Sequence, residues 1–285
     1  MCSDRMRLKP VLVYAMLTMV LMSLSVGATY LTIVEPVSAT INNGGGIYLG
    51  KVAPGESISV EASPTTSNAL GVLLPQGWDT MEALNLPNGW TAQPSPKYSS
   101  VMKLKITVSP NATNGTYAIG IRAVNLGNYS GLGNLTVAAN VTVTPDVYNI
   151  SVYPANIRSG IGQPVNLYIA VNNSGASDDP FVISSSGLPA WNASDEVISL
   201  HGTNDVYTYP VFVDEPGVYN FNISVKSTTS PLIHYTYKER LVAQASLLND
   251  WNAVGQGAIL SPIILEPAYA FMNFLAQIYG LIVRG

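Results

Sequence analysis

Along much of the chain, apolar and polar residues alternate with a period of two. Met102, Leu104, Ile106 and Val108 alternate with Val101, Lys103, Lys105 and Thr107. Leu135, Val137, Ala139, Val141 and Val143 alternate with Thr136, Ala138, Asn140, Thr142 and Thr144, and the same pattern recurs at Tyr148, Ile150, Val152 and at Val165, Leu167, Ile169, Val171. This spacing puts one face of a strand in a core and the other in solvent. No helical period competes before about Leu241, apart from a turn expected at Asp79–Leu84. Many short strands, each alternating rather than uniformly apolar and separated by Gly, Pro and Asn, predict an all-β chain of antiparallel sandwiches rather than a parallel sheet.

Two continuous apolar segments, Val11–Val26 and Ala258–Val283, break this pattern at either end. The first follows Arg5, Arg7 and Lys9 and runs to the small residues Val26-Gly27-Ala28. A basic stretch, an apolar stretch and a small-residue end are the parts of a secretory signal. Residues 1–28 are therefore expected to be a signal peptide, cut after Ala28 or, as a weaker alternative, after Ala39; the competing reading keeps the segment as an uncleaved anchor. Cys2, the only cysteine, lies ahead of the apolar stretch, where it cannot be the lipidated residue of a lipoprotein.

The second segment is long enough to cross about 30 Å of hydrocarbon. Residues 258–283 are expected to form a transmembrane helix after a linker at 246–257, with Arg284 on the cytoplasmic side. Pro262 and Glu266-Pro267 interrupt it, and a helix from Pro267 to Val283 would span only about 25 Å. Glu266, Asn273 and Gln277 are seven and then four positions apart, so they share one helical face with Tyr269. Polar groups in a membrane usually face another helix, which makes this stripe a candidate contact with a membrane-protein partner. A lone anchor and a soluble docking helix are the alternatives.

Composition describes what lies between. Charged residues are 11% of the chain and hydrophobic ones 47%, enough to build packed cores and too apolar for disorder. Residues 29–257 carry six more acidic than basic side chains and no basic run. Nucleic acid is excluded as an expected partner, because binding phosphate requires a basic face.

The middle also repeats itself. Gly115-Thr-Tyr117-Ala-Ile119-Gly-Ile121-Arg-Ala123 matches Gly217-Val-Tyr219-Asn-Phe221-Asn-Ile223-Ser-Val225, and Pro54-Gly55-Glu-Ser-Ile58-Ser-Val60 has a looser counterpart in Gly162-Gln-Pro-Val165-Asn-Leu167. A repeat of about 100 residues is the size of one immunoglobulin-like domain. Tyr117 and Tyr219 each follow a glycine and open a strand, the placement of a tyrosine corner. The expected domains are 29–145 and 146–245. They meet at Pro145-Asp146 with almost no linker, which would hold the two sandwiches at a restricted angle.

With these residues in view, the chain resembles the tandem immunoglobulin-like β-sandwich modules of archaeal and bacterial cell-surface proteins. Leu86-Pro-Asn-Gly-Trp90, Met102–Val108, Ser109-Pro110 and Asn114-Gly-Thr-Tyr117 look like the domain found beside some α-galactosidases. Val165–Val171 with Asn172-Asn-Ser-Gly175 looks like a CARDB-type adhesion module. The resemblance implies a surface or envelope role and carries over no catalytic residue. Between Ser67 and Pro96 the first copy departs from the pattern, and this stretch, with Trp78 and Trp90, is expected to be an elaborated loop.

Nine Asn-x-Ser/Thr sequons begin at Asn111, Asn114, Asn128, Asn134, Asn140, Asn149, Asn172, Asn192 and Asn222. Several fall at strand positions of outward parity, where a bulky glycan can be attached. None precedes Asn111, so the first half of domain one is bare and a candidate contact face. Catalytic motifs are missing: there is no Gly-x-Ser-x-Gly, paired Cys or His-Glu-x-x-His, and His201 and His234 lie in separate segments. Asn42-Asn-Gly-Gly-Gly46 reads as a tight strand connection rather than a phosphate loop. Asp178-Asp179, Asp195-Glu196 and Asp214-Glu215 could offer oxygens to calcium only if loops converged. Trp78, Trp90 and Trp191, with Tyr98 and Tyr129, are either core or a platform for sugar rings. No enzyme activity, cofactor or metal is expected. The reading is a membrane-anchored envelope glycoprotein, its ectodomain extracellular and its short C-terminus cytoplasmic, acting as a spacer, lattice anchor or accessory subunit. Its partners would be the membrane, an envelope lattice protein or a membrane protein. The alternative is an adhesion module for surface polysaccharide, a surface glycan then being the ligand, or for another cell.

Overall fold

The computed structural model describes residues 29–67, 73–127, 132–189 and 193–244. Among them every helix or strand is a strand, so the described chain is all-β. The first group is β1 (Tyr30–Glu35), β2 (Ala39–Asn42), β3 (Gly46–Val52), β4 (Ser57–Ala62), β5 (Thr65–Ser67), β6 (Leu73–Gly77), β7 (Thr80–Leu84), β8 (Thr91–Gln93), β9 (Met102–Thr107), β10 (Gly115–Val124) and β11 (Leu135–Val143). One sheet runs β6-β5-β1-β4-β9-β8 with β2 added on β1; the other runs β3-β11-β10-β7. The sets β1-β4-β9-β8 and β11-β10-β7 reproduce the four-plus-three strand order of a constant-type immunoglobulin sandwich. The outer strand β3 joins the second sheet parallel to β11.

The second group is β12 (Tyr148–Tyr153), β13 (Asn156–Ser159), β14 (Val165–Asn173), β15 (Asp179–Ser186), β16 (Ser194–Ser199), β17 (Asn204–Val211), β18 (Gly217–Ser227) and β19 (His234–Ala243). Its sheets are β12-β14-β17 and β13-β19-β18-β15-β16. Here too the chain crosses early from one sheet to the other, and β13 runs parallel to β19. In the second sandwich the crossing passes the bond Tyr153-Pro154, whereas Glu35-Pro36 stands in the connection between β1 and β2 of one sheet; proline has no N–H to continue the ladder. The two halves of the sequence repeat occupy equivalent strands, β10 with β18 and β4 with β14.

Each pair of sheets encloses its own core. Leu31, Ile58, Leu104, Ile121 and Val137 belong to the first, and Leu167, Phe181, Tyr209, Ile223 and Leu241 to the second. β11 shows why the alternation was informative: its odd residues are buried and its even ones are not.

Two expectations fail. Thr80–Leu84 is β7, antiparallel to β10 from Gly120 to Val124, not a turn. The helix-favouring residues Met81, Glu82, Ala83 and Leu84 yield to cross-strand pairing, which often overrides propensity. The stretch from Ser67 to Pro96 is likewise no elaborated loop: β6, β7 and β8 lie in it, and Trp78 and Trp90 are buried in the first core. Short strands of three to five residues leave too few alternations for a period to be read.

Phe181 is fully buried and meets Tyr148 edge-on, with ring centroids 5.0 Å apart. Phe181→Ala is expected to destabilise the second sandwich by about 3–5 kcal/mol, measured by thermal unfolding; a loss below about 1 kcal/mol would contradict this packing.

Candidate functional site at the domain junction

The most chemically unusual group among the described residues is Glu56, a fully buried carboxylate. It ends the turn Ala53-Pro54-Gly55 between β3 and β4, where its amide donates to the Ala53 carbonyl at 3.2 Å. Its Oε2 accepts from the Ala53 N–H at 2.9 Å, and its Oε1 accepts from the Tyr148 hydroxyl at 2.8 Å. Tyr148 opens β12 of the second sandwich, so a glutamate of one domain is capped by a phenol of the other.

Several contacts surround this bond. The Ser177 hydroxyl donates to the Ser57 carbonyl at 2.8 Å, and the Ala176 N–H to the Lys51 carbonyl at 2.7 Å. Ala53 is packed in the second core although it belongs to the first domain's chain. Gly55 lies at φ +91° with the Thr229 carbonyl 2.5 Å from where a Cβ would stand, so only glycine allows the turn to approach the loop between β18 and β19. Between the domains run only Thr144–Val147, and these are held as well: the Thr144 N–H bonds to Val52 O at 3.0 Å, and Val147 O receives the Ser174 N–H at 2.9 Å.

A second carboxylate stands near. Asp179 is buried; its Oδ1 accepts from Thr229 Oγ1 at 2.5 Å, while Oδ2 has no hydrogen-bond partner among the described residues. Burial raises its pKa. Burial also pushes Glu56 up from 4.5 to about 7, opposed by the Ala53 hydrogen bond and reinforced by the charge of Asp179. Tyr148, raised by burial and by the neighbouring carboxylates, remains a protonated donor.

The other singled-out residues have separate fates. The Tyr117 hydroxyl donates to the Thr113 carbonyl at 2.9 Å and the Tyr219 hydroxyl to the Glu215 carbonyl at 3.0 Å, the backward bond of a tyrosine corner. Trp90 packs against Tyr117 with ring centroids 5.3 Å apart. With Trp78 and Trp90 in the core and Tyr98 exposed, these three do not form a platform for sugar rings; Trp191 and Tyr129 lie outside the described residues. Asn111, Asn114, Asn134, Asn140, Asn149 and Asn172 are exposed and Asn222 half-buried. Asn149 and Asn172 are direct cross-strand partners on β12 and β14, so glycans on both would start side by side. Asn128, Asn192 and the stripe Glu266, Asn273, Gln277 lie outside the described residues, as do both apolar segments.

The acidic pairs do not converge. Asp178 accepts from the His201 backbone N–H at 2.8 Å and pairs with its ring at 2.7 Å; Asp179 belongs to the junction; Asp195 and Glu196 lie on β16; Asp214 and Glu215 precede β18. His234 bonds Ser224 on the neighbouring strand. Among the described residues no three His, Cys, Asp or Glu are placed to share a metal ion.

No family model matches this chain, and no curated protein matches it. Solved structures with a similar chain path include a chimeric titin Z1Z2 carrying a decorin peptide, at 16% identity over 76% of this chain and 98% of that one, with a TM-score of 0.33. The fibronectin(III)-like modules of Clostridium thermocellum CbhA follow at 12% identity, covering 75% and 94%, with a TM-score of 0.25. The D00-D0 domain of intimin matches at 12% identity, covering 74% and 99%, with a TM-score of 0.26. At such values the immunoglobulin-like assignment rests on the strand pairing itself.

Glu56 makes stability depend on pH. Its folded value lies above its unfolded one, so the folded protein holds the proton more tightly. The resulting stabilisation is fully present below pH 4.5 and is lost as pH rises to about 7. Relative to Glu56→Gln, the protein is expected to lose about 3 kcal/mol across that window, read from denaturant unfolding as a function of pH. A difference that stays flat across the window would contradict the burial.

Proposed function

We infer that the chain is a membrane-anchored glycoprotein of the cell envelope whose two sandwiches form a stiff spacer, serving as a lattice anchor or accessory subunit. The observation that carries this reading is the junction, where Tyr148, Ala176 and Ser177 of the second domain bond Glu56, Lys51 and Ser57 of the first. Freely hinged domains usually meet through polar, exchangeable contacts across a flexible linker. Four connecting residues and a buried carboxylate instead favour one fixed angle. The reading assigns the chain no catalytic role.

Further support comes from the ends and the surface. Cleavage after Ala28 leaves β1 whole, whereas cleavage after Ala39 would remove Leu31 and Ile33, both fully buried; Ala28 is therefore the favoured position. Sequon asparagines at exposed positions suit an exported, glycosylated chain. The bare first half of domain one supplies Lys51–Ser57 to the junction, which gives part of that face a partner within the chain. In the tail, the spacing of Glu266, Asn273 and Gln277 would put them on one helical face, through which a membrane protein would be held.

Mass spectrometry of the native protein extracted from membranes in detergent tests this reading. It is expected to find the chain beginning at Thr29, glycans on exposed sequons and a co-purifying envelope or membrane protein. Recovery of that partner should drop severalfold in the Glu266→Ala, Asn273→Ala double variant. Unchanged recovery would remove the tail as the contact, and a chain found only in the soluble fraction would overturn the anchor.

A further inference from the structure

The second sandwich gathers its basic residues on one face. Its Lys and Arg residues are Arg158, Lys226, Lys238 and Arg240, and all four are exposed on the outer side of the five-stranded sheet: Arg158 on β13, Lys226 on β18, and Lys238 and Arg240 on β19. None is ion-paired to another described residue. The acidic residues, Glu196 apart, lie elsewhere. Asp178 and Asp179 are at the junction, Asp205 is on the other sheet, and Asp214 and Glu215 precede β18; on β16, Asp195 pairs with the inward-facing Ile183, and only Glu196 shares the outer face, standing in line with Lys226 across Val182 and two strands from it. Even Glu239, between Lys238 and Arg240 in sequence, turns inward and is buried. A domain rich in carboxylates thus presents one face on which four cations outnumber the single carboxylate of Glu196.

An open groove of ≈ 550 Å³ lies on this face, lined by Ala155, Asn156, Asn220, Asn222, Lys238 and Arg240, with Phe221 and Glu239 beneath. The register explains its lining: Asn156 and Asn220 flank Arg240 on either side, and Asn222 stands opposite Lys238. Each amide can both donate and accept, as sugar hydroxyls do. The guanidinium fork matches a carboxylate, and Lys238 adds a point charge beside it. The groove offers no exposed aromatic or large aliphatic side chain. A protein partner would lack the buried anchor that dominates most interfaces, and a nucleobase would lack a stacking surface.

We propose that this groove binds an acidic saccharide, a chain of hydroxylated rings bearing carboxylates, with Arg240 and Lys238 holding the charge and Asn156, Asn220 and Asn222 holding hydroxyls. Asn222 also heads a sequon, so a glycan attached there shares the groove with the ligand. The proposal goes beyond the spacer reading and does not depend on it: loss of this site leaves the junction and the tail unaffected.

Calorimetric titration of the full chain in detergent, produced without N-glycosylation, tests the site with an oligogalacturonate and with a neutral oligosaccharide of equal length. The acidic chain is expected to bind, more weakly as salt rises, and the neutral chain to bind at least tenfold more weakly. Lys238→Glu with Arg240→Glu is expected to reduce affinity tenfold or more without changing the thermal midpoint, whereas Lys97→Glu in the first sandwich leaves it unaltered. Absence of oligogalacturonate binding, equal binding of the neutral chain, or affinity unchanged in the double variant would overturn the proposal.

Discussion

Burying one carboxylate at the seam between two domains constrains everything around it. An unpaired charge in a protein interior costs several kcal/mol, so Glu56 can carry its charge there only while Ala53 and Tyr148 donate to it. Ala53 fixes the local turn. Tyr148 brings the second sandwich into the requirement, because its hydroxyl reaches Glu56 only when β12 lies against the β3–β4 turn. Gly55 permits the close approach on one side, and Asp179, bonded to Thr229, closes the other. Separating the domains would leave the Tyr148 hydroxyl and one Glu56 oxygen without each other and expose Ala53 from the second core.

That coupling connects two otherwise independent packing problems. Each sandwich has its own core, its own early crossing between sheets and its own tyrosine bonded four residues back along the chain. The two modules are joined by contacts of loops at one end of each sandwich rather than by a long linker, and it is on these contacts that the proposed spacer role rests. The outer faces carry the exposed sequon asparagines, and on the second sandwich one of them gathers the cations.

The architecture was legible in the sequence where strands were long. β9, β11 and β14 carry enough alternating positions for burial of one face to show, and the offset match of Gly115–Ala123 with Gly217–Val225 reported the two copies. Short strands were not legible: β7 was obscured by helix-favouring residues, and β6 and β8 by their length. The junction was hidden for a different reason. Glu56 stands in a Pro-Gly turn, where an acidic residue is ordinarily solvated, and its partner is 92 positions away; only the fold brings them together. The basic face was similarly dispersed, since Arg158 is far in sequence from Lys226, Lys238 and Arg240 and no run of cations signals it.

The contacts at the junction are expected to hold the two sandwiches at one angle. Double electron–electron resonance between spin labels at Lys97→Cys and Asp214→Cys, exposed positions on different domains, in a Cys2→Ser background, measures this directly. A single narrow distance distribution is predicted, broadening when Glu56→Ala and Ser177→Ala remove the two side-chain bonds across the seam. A broad distribution before those substitutions, or one they leave unchanged, would contradict the account.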